Sequence, residues 1–236
     1  MPDTNQGNKM ELFERVKAIM FNPKEEWIII EDENTPLVKV FVGYLLILAL
    51  IPAVAIFFNF WWNWHSAYSE AIAKISGNYP NIAEITARIK AQYPFDPKLG
   101  IINAVKMLVI ILGGAYISAA VINAFSDQYG SSKDLNRTFS LVAYSLTPMC
   151  VAGILYIYSP LSSIVQYVGL YGLYPLYTGI EPQLKPAANK KNLCFIISLL
   201  VVVAVWVILS KIVQEISVSI LAEMAKSNAG NMLKDF

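Results

Sequence analysis

Charged and catalytic side chains are scarce in this chain. Only 15% of its 236 residues are charged, against about a quarter in soluble domains, and it has one histidine. It contains no Gly-x-Ser-x-Gly, His-Glu-x-x-His or Walker sequence, so it lacks a recognisable set of acid–base and nucleophilic groups. We predict that the protein is not an enzyme and that it uses no cofactor.

Positive clusters and metal-binding side chains are also lacking. The net charge is +1 and Lys and Arg form no cluster, which argues against nucleic acid as a partner. The two cysteines, Cys150 and Cys194, both lie in apolar stretches. Two cysteines and one histidine are too few for a metal site or a disulfide framework, so we expect both cysteines to be small buried hydrophobic residues.

Apolar residues are abundant and are gathered in long runs. They make up 56% of the chain, and five runs approach the roughly 20 residues that a helix needs to cross a bilayer. The sequence therefore predicts an all-α polytopic membrane protein with a bundle of five transmembrane helices. The predicted spans are about 37–60, 99–125, 138–158, 161–177 and 193–209, within one membrane domain, 37–212.

Amphipathic segments lie outside the predicted spans. In the cytoplasmic segment 1–36, Met10–Met20 has one apolar face, and Asn22 with Pro23 starts a second helix. We predict two short helices on the membrane surface, or alternatively a small helical hairpin that folds against the bundle. Two further interfacial helices are predicted between spans one and two, and 213–236 predicts an amphipathic helix and tail.

Aromatic and positive residues at the span ends predict the orientation. Trp61, Trp62 and Trp64 follow span one at once and mark its exit from lipid. With the amino terminus inside, more Lys and Arg residues lie on the inner side than on the outer side. This bias predicts a cytoplasmic amino terminus and an outside carboxyl terminus. Because 1–36 holds no long apolar run, we also expect no cleaved signal peptide.

One short stretch points to a family. Span three carries Ala-Tyr-Ser-Leu-Thr-Pro-Met at 143–149, a polar Asp-Gln-Tyr-Gly loop at 127–130 precedes it, and Gly-Leu-Tyr-Pro-Leu-Tyr-Thr-Gly follows at 172–179. Over about 99–209 this order and spacing resemble the Yip family, named for proteins that interact with Ypt/Rab GTPases. The resemblance implies five spans, a cytosolic amino terminus, a short loop between spans three and four, and a membrane protein of undefined activity.

The chain departs from the eukaryotic members of that family. It lacks their long cytosolic region with an Asp-Leu-Tyr-Gly-Pro-like motif, so a Rab-type GTPase is a doubtful partner. The resemblance is instead to prokaryotic members, which implies a protein of the bacterial inner membrane.

Span two holds three residues with candidate roles. Lys106 is the one charge well inside a predicted span; it either reaches the interface with its long side chain or lies on an ion or substrate path. Gly113 and Gly114 belong to a small-residue face that suits close helix packing in lipid.

The loop before span three and the hairpin of spans three and four hold the other candidates. Asp127, Asp134 and Arg137 share a loop that is either a partner- or cation-binding site or a solvated loop with a local ion pair, and Gly130 of the same loop is singled out as well. Prolines in the two spans predict kinks that either fix helix shape or form a hinge beside a polar cavity lined by tyrosines. The hairpin residues singled out are Tyr144, Pro148, Tyr174 and Pro175.

Two functions fit this sequence. We favour a non-enzymatic scaffold or membrane-organising protein that binds other membrane proteins or associates with itself in the lipid bilayer. The alternative is a small transporter or channel, because Pro and Gly interrupt spans three and four as they often do in transporter binding helices.

Overall fold

The computed structural model describes residues 4–76 and 96–232, with positions 84 and 87, and it gives side chains for 12–66, 84, 87 and 96–223. Every regular element in these ranges is helical, which confirms the predicted class. The helices are α1 (Thr4–Phe21), α2 (Pro23–Glu33), α3 (Leu37–Val40), α4 (Leu46–Ser76), α5 (Pro97–Ala124), α6 (Leu135–Ser145), α7 (Thr147–Ala152), α8 (Ser162–Leu170), α9 (Leu173–Leu184) and α10 (Lys191–Met232). A π-helical turn, Phe41–Leu45, joins α3 to α4, and shorter 3₁₀ turns cover Ser126–Tyr129, Gly153–Ile157 and Ser159–Leu161.

Four helical stretches within the described ranges are long and apolar enough to cross a membrane: Leu37–Ser66, Pro97–Ala124, Leu135–Ile157 and Lys191–Glu223. They contain four of the five predicted spans. The remaining predicted span, 161–177, falls on α8 and α9, which have 9 and 12 residues and are each too short to cross alone. The count of five spans is therefore not confirmed.

Two prolines account for the helix breaks between α6 and α7 and between α8 and α9. Pro148 has no N–H, so the helical partner of the Tyr144 carbonyl is missing; the Thr147 hydroxyl donates to that carbonyl at 2.6 Å instead. Pro175 likewise leaves the Tyr171 carbonyl without its helical donor, and the chain turns there, with the Tyr174 N–H donating to it at 3.0 Å. The result is a pair of bent helices, α6–α7 and α8–α9, in place of two straight ones.

Two sets of contacts mark the ends of the bundle, which we call the near end, where the first span begins, and the far end, where α4 meets Ser159. At the near end, the Leu37 N–H donates to Asn136 Oδ1 at 3.0 Å and the Ala187 N–H donates to the Tyr129 carbonyl at 3.0 Å. At the far end, Asn59 Nδ2 donates to Ser159 Oγ at 2.9 Å. The near end thus joins the start of the first span to the loops before α6 and α10, and the far end joins α4 to the tip of the α7–α8 hairpin.

The amino-terminal helices pack onto the near half of the bundle. Ile19, Trp27 and Ile30 are buried in the same hydrophobic core as the spans. This arrangement corresponds to the alternative in which 1–36 forms a hairpin against the bundle. Pro23 takes the first position of α2 as expected, whereas the side chain of Asn22 makes no capping hydrogen bond.

Two predicted helix ends lie further along the chain than expected. Span one was predicted to stop at Phe60, but α4 continues to Ser76, since the sequence has no Gly or Pro between Phe60 and Gly77. The first predicted interfacial helix is thus part of α4, and most of the second lies outside the described residues. The predicted carboxyl-terminal helix is likewise continuous with α10, which runs unbroken for 42 residues.

Trp27 occupies a notch in α9 that exists because residue 179 is glycine. A Cβ at Gly179 would lie 2.4 Å from Trp27 Cε2, closer than packed side chains allow. Gly43 also lies in a spanning helix, and a Cβ there would meet no atom within 4 Å.

We predict that Gly179→Ala loosens α1–α2 from the bundle. The overlap with the Trp27 ring should cost about 1–3 kcal/mol of stability, whereas Gly43→Ala should cost nothing measurable. Thermal unfolding in detergent and trypsin cleavage at Lys17 and Lys24 would measure both effects. Equal behaviour of the two variants would contradict the notch.

Candidate functional site

Three aromatic rings join α2 to spans one and three, and we call them, with Arg15, the docking site. The ring centroids of Trp27 and Tyr144 lie 5.9 Å apart in an edge-on arrangement, and those of Tyr44 and Tyr144 lie 4.5 Å apart. Trp27 is fully buried, and its Nε1 donates to the Pro175 carbonyl at 2.9 Å. Trp27 and Tyr44 thus each have a ring contact and a hydrogen bond, which is what a buried Trp or Tyr requires.

A hydrogen-bond chain lies beneath these rings. The Thr147 hydroxyl donates to the Tyr144 carbonyl, so it accepts from the Tyr44 hydroxyl, 2.7 Å away. Tyr44 comes from the π-helical turn of span one, 103 residues from Thr147. The polar groups released by Pro148 are therefore satisfied within the protein, as lipid-embedded backbone requires.

Above the rings lies an ion cluster centred on Arg15. Its Nη2 donates to the Glu33 carboxylate, and its Nη1 lies 2.6 Å from the Glu26 carboxylate in an ion pair without hydrogen-bond geometry. The guanidinium also lies 6.0 Å from the centre of the Tyr144 ring, within cation–π range. A cavity of about 690 Å³ opens between these groups, α1 and the start of span one.

Burial by itself shifts the pKa values of Arg15 and Glu26 in opposite directions. Burial disfavours the charged form of Arg15, but the Glu33 hydrogen bond and the surrounding negative charge outweigh it, so the pKa of Arg15 is raised. Burial raises the pKa of the Glu26 carboxyl above its usual 4.5, and Arg15 only partly opposes that shift. Burial therefore favours the neutral form of the side chain at position 26.

The structure brings three of the sequence-predicted residues into this site. Tyr144 supplies the central ring, Pro148 frees the carbonyl that Thr147 satisfies, and the Pro175 carbonyl accepts from Trp27. Tyr174, by contrast, is 42% exposed on the outside of the hairpin.

The loop candidates lie beside the docking site at the near end. Arg137 has a nitrogen 3.5 Å from Asp134 and another 3.9 Å from Glu31 on α2. Asp127 pairs with Lys133 at 2.8 Å, and both side chains are largely exposed. Gly130 has φ +73°, a conformation that favours glycine, at the end of its 3₁₀ turn.

The span-two candidates face α10. Lys106 Nζ donates to Gln214 Oε1 at 2.6 Å, so this lysine has a polar partner on the neighbouring helix. Gly114 lies under the Trp206 indole, where an added Cβ would be 3.2 Å from Nε1, and at Gly113 it would be 3.5 Å from Leu209. The small-residue face of span two thus lies against α10.

Sequence reasoning missed Arg15, Trp27, Tyr44 and Gly179 as parts of this site. One signal was present: α2 is a short helix with charged residues at both ends, and the tryptophan at its centre needs a buried partner. Its partner, however, lies 148 residues away, and single-sequence periodicity cannot identify a contact of that range.

The docking site holds separate helices together by non-covalent contacts. Its side chains offer hydrogen bonds, ring contacts and ion pairs between separate helices. No three His, Cys, Asp or Glu side chains in the described part of the chain lie together in a way that could hold a metal ion.

We predict opposite effects for two amide substitutions of the cluster. Glu26→Gln should leave stability at pH 7 unchanged or higher, because burial disfavours the carboxylate. Glu33→Gln should cost about 1 kcal/mol, since a partly exposed hydrogen bond to Arg15 is lost.

The two variants also test the pH dependence of the docking. The raised pKa means that the docked form binds a proton more tightly at Glu26, so the wild type should gain stability as pH falls through that pKa towards 4.5. Glu26→Gln should remove this gain and Glu33→Gln should keep it. Unfolding curves at pH 5 and pH 7 would show this, and a Glu26→Gln variant less stable than wild type at pH 7 would refute it.

Comparison with known proteins identifies the family of this chain. No curated protein and no solved structure matches the chain. The family model described as Yip1 domain matches residues 17–209, which include α2, the four candidate spans' apolar parts and the whole 143–149 stretch. That family consists of membrane proteins and is not known for enzymatic activity. The match covers most of the chain and confirms the resemblance found at 143–149, so this protein belongs to the Yip1 domain family.

Proposed function

We propose that the protein acts without catalysis, as a platform in the bacterial inner membrane on which α1 and α2 present a rigid surface to a membrane-associated protein. The supporting observation is that Tyr144, within the stretch 143–149, packs its ring against Trp27 of α2 and lies within cation–π range of Arg15 of α1. Helices held in this way keep a fixed position in which they can contact a partner.

The outer side of the α1–α2 hairpin exposes large apolar side chains that suit contact with a partner. Phe13 and Phe21 on α1 are 67% and 73% exposed, and Ile28 and Ile29 on α2 are 60% and 49% exposed. Charged residues, among them Glu14, Lys17 and Lys24, stand between them. Exposed large apolar side chains grouped on one surface and surrounded by polar residues are typical of surfaces that bind a protein or a membrane.

We also propose that α8–α9 crosses the bilayer as a bent fifth passage. Its amino end follows Ser159, which bonds to Asn59 at the far end. Its carboxyl end reaches Lys185, which pairs with Glu31 at the near end at 2.5 Å. The two short helices together connect opposite ends of the bundle, so the amino terminus would face the cytoplasm and the carboxyl end of α10 the outside.

We predict that positions 17 and 219 are labelled from opposite sides of the membrane. Single cysteines at Lys17 and Ser219 would be treated with an impermeant maleimide in intact cells. Cysteines at Asp127 and Ser159 serve as the near-end and far-end references, and all four positions are exposed. The native Cys150 and Cys194 are buried and supply the blank.

The number of crossings is decided by comparing the labelling of position 219 with that of positions 159 and 17. Labelling like 159 supports a fifth passage. Labelling like 17 would mean that α8–α9 returns to its own side, leaving four crossings.

Photo-cross-linking tests the platform itself. We predict that a photoreactive residue at position 13 or 21 gives a discrete cross-linked protein, either a second copy of this chain or another membrane-associated protein. The same residue at Tyr158, 54% exposed at the far end, should give none. Gly179→Ala should weaken the near-end product, because the surface is no longer held in place.

Identical products at all three positions, or lipid adducts alone, would contradict the platform. Mass spectrometry of the product identifies the partner, and two differently tagged copies of the chain reveal self-association.

One observation favours a transporter as the second candidate. The two breaks face each other: a Cβ at Gly172 would lie 2.6 Å from the Ser145 carbonyl. Paired broken helices are common at transporter binding sites. Ser145 is buried, however, and its hydroxyl donates to the Leu141 carbonyl at 2.7 Å, so that candidate depends on a rearrangement that opens the contact. Solute flux through reconstituted vesicles, lost in Lys106→Leu, would support it.

A further inference from the structure

A second cavity lies at the near end, apart from the docking site. It occupies about 500 Å³ between α2, α9 and the first residue of α10. Its lining combines lysines and glutamates with an isoleucine, a tyrosine and a threonine. The residues that matter below are Lys24, Ile28, Glu31, Tyr177, Glu181 and Lys191, with Lys185 at the rim. We call it the basic crevice.

The charges of the basic crevice leave an excess of one. Lys185 lies 2.5 Å from Glu31, and Lys191 lies 2.7 Å from Glu181. Lys24 makes no ion pair in the described part of the chain. Three ammonium groups against two carboxylates give +1, the charge that one phosphodiester neutralises.

The carboxylates do not block an incoming anion equally. The Glu181 side chain is 71% exposed and only Lys191 holds it, so it can leave for water at little cost. Lys191 keeps a second contact when that happens, because its Nζ lies 4.9 Å from the centre of the Tyr177 ring. Glu31 is more buried and remains with Lys185 and Arg137.

The depth of the crevice matches lipid headgroups. Lys191 begins α10, and the apolar part of that helix starts at once, with Leu193 44% exposed and Ile196 53% exposed. On the other wall Ile28 is 60% exposed. Positive groups therefore stand directly above exposed apolar side chains, an order that follows the headgroup and acyl chains of a phospholipid.

We propose that the basic crevice binds the phosphate of an anionic phospholipid, with Lys24 and Lys191 as its cationic contacts and the exposed face of Leu193 and Ile196 along the acyl chains. A zwitterionic lipid carries its own cation, which would meet the lysines, so the crevice discriminates against it. The bound lipid would bridge α2 and α10.

Native mass spectrometry of the detergent-purified full chain tests this binding. Phosphatidylglycerol and phosphatidylcholine with the same acyl chains are titrated separately. We expect tighter binding of phosphatidylglycerol, a loss of about five-fold in Lys24→Gln, and a loss of about 25-fold when Lys191→Gln is added. Lys133→Gln, on the same side but outside the crevice, should bind like wild type.

Three results would overturn the proposal. The first is equal affinity of the wild type for the two lipids. The second is retention of the phosphatidylglycerol preference in both Lys24→Gln and the double variant. The third is displacement of the lipid by inorganic phosphate or glycerol 3-phosphate at the lipid's own concentration, which would assign the crevice to a free phosphate. Lys24 is an exposed side chain at the start of α2, so its substitution leaves the fold intact and a loss of lipid binding in the single variant is not an effect of unfolding.

Discussion

The insertion of one tryptophan ring between distant helices is the contact on which the near half of this protein depends. Burying an indole removes about 200 Å² from water, or about 5 kcal/mol as an upper value. The Trp27 N–H would lose part of that gain without an acceptor, and the Pro175 carbonyl supplies one. The notch at Gly179 makes the approach possible. Trp27 is the largest side chain that the amino-terminal helices bury in the core, beside Ile19 and Ile30.

The family's short stretch gains a physical meaning from that contact. A proline within a spanning helix leaves a carbonyl without a donor where water is absent. Here the Thr147 hydroxyl donates to that carbonyl and accepts from the Tyr44 hydroxyl. The bend that results sets Tyr144 against Trp27. The helix break and the helix docking are therefore two results of the same residues.

Much of the architecture could be predicted from the sequence, because apolar length is a local property. Four spans, the two proline breaks and the start of α2 at Pro23 all follow from short stretches. The docking site could not, because its members come from α1, α2 and two separate spans, and each looks ordinary alone. Lys106 illustrates the same limit: its partner, Gln214, is 108 residues away. Tyr174 was singled out for its neighbours in sequence, yet its side chain lies on the outside.

The length of α10 has a mechanical consequence. At 1.5 Å per residue its 42 residues measure about 63 Å, roughly twice the apolar thickness of a bilayer. In the proposed arrangement α10 begins at the near surface and crosses once, which leaves about half of its length beyond the opposite surface. An unbroken helix of that size is stiff, so in this arrangement Met232 would be held roughly 30 Å from the lipid.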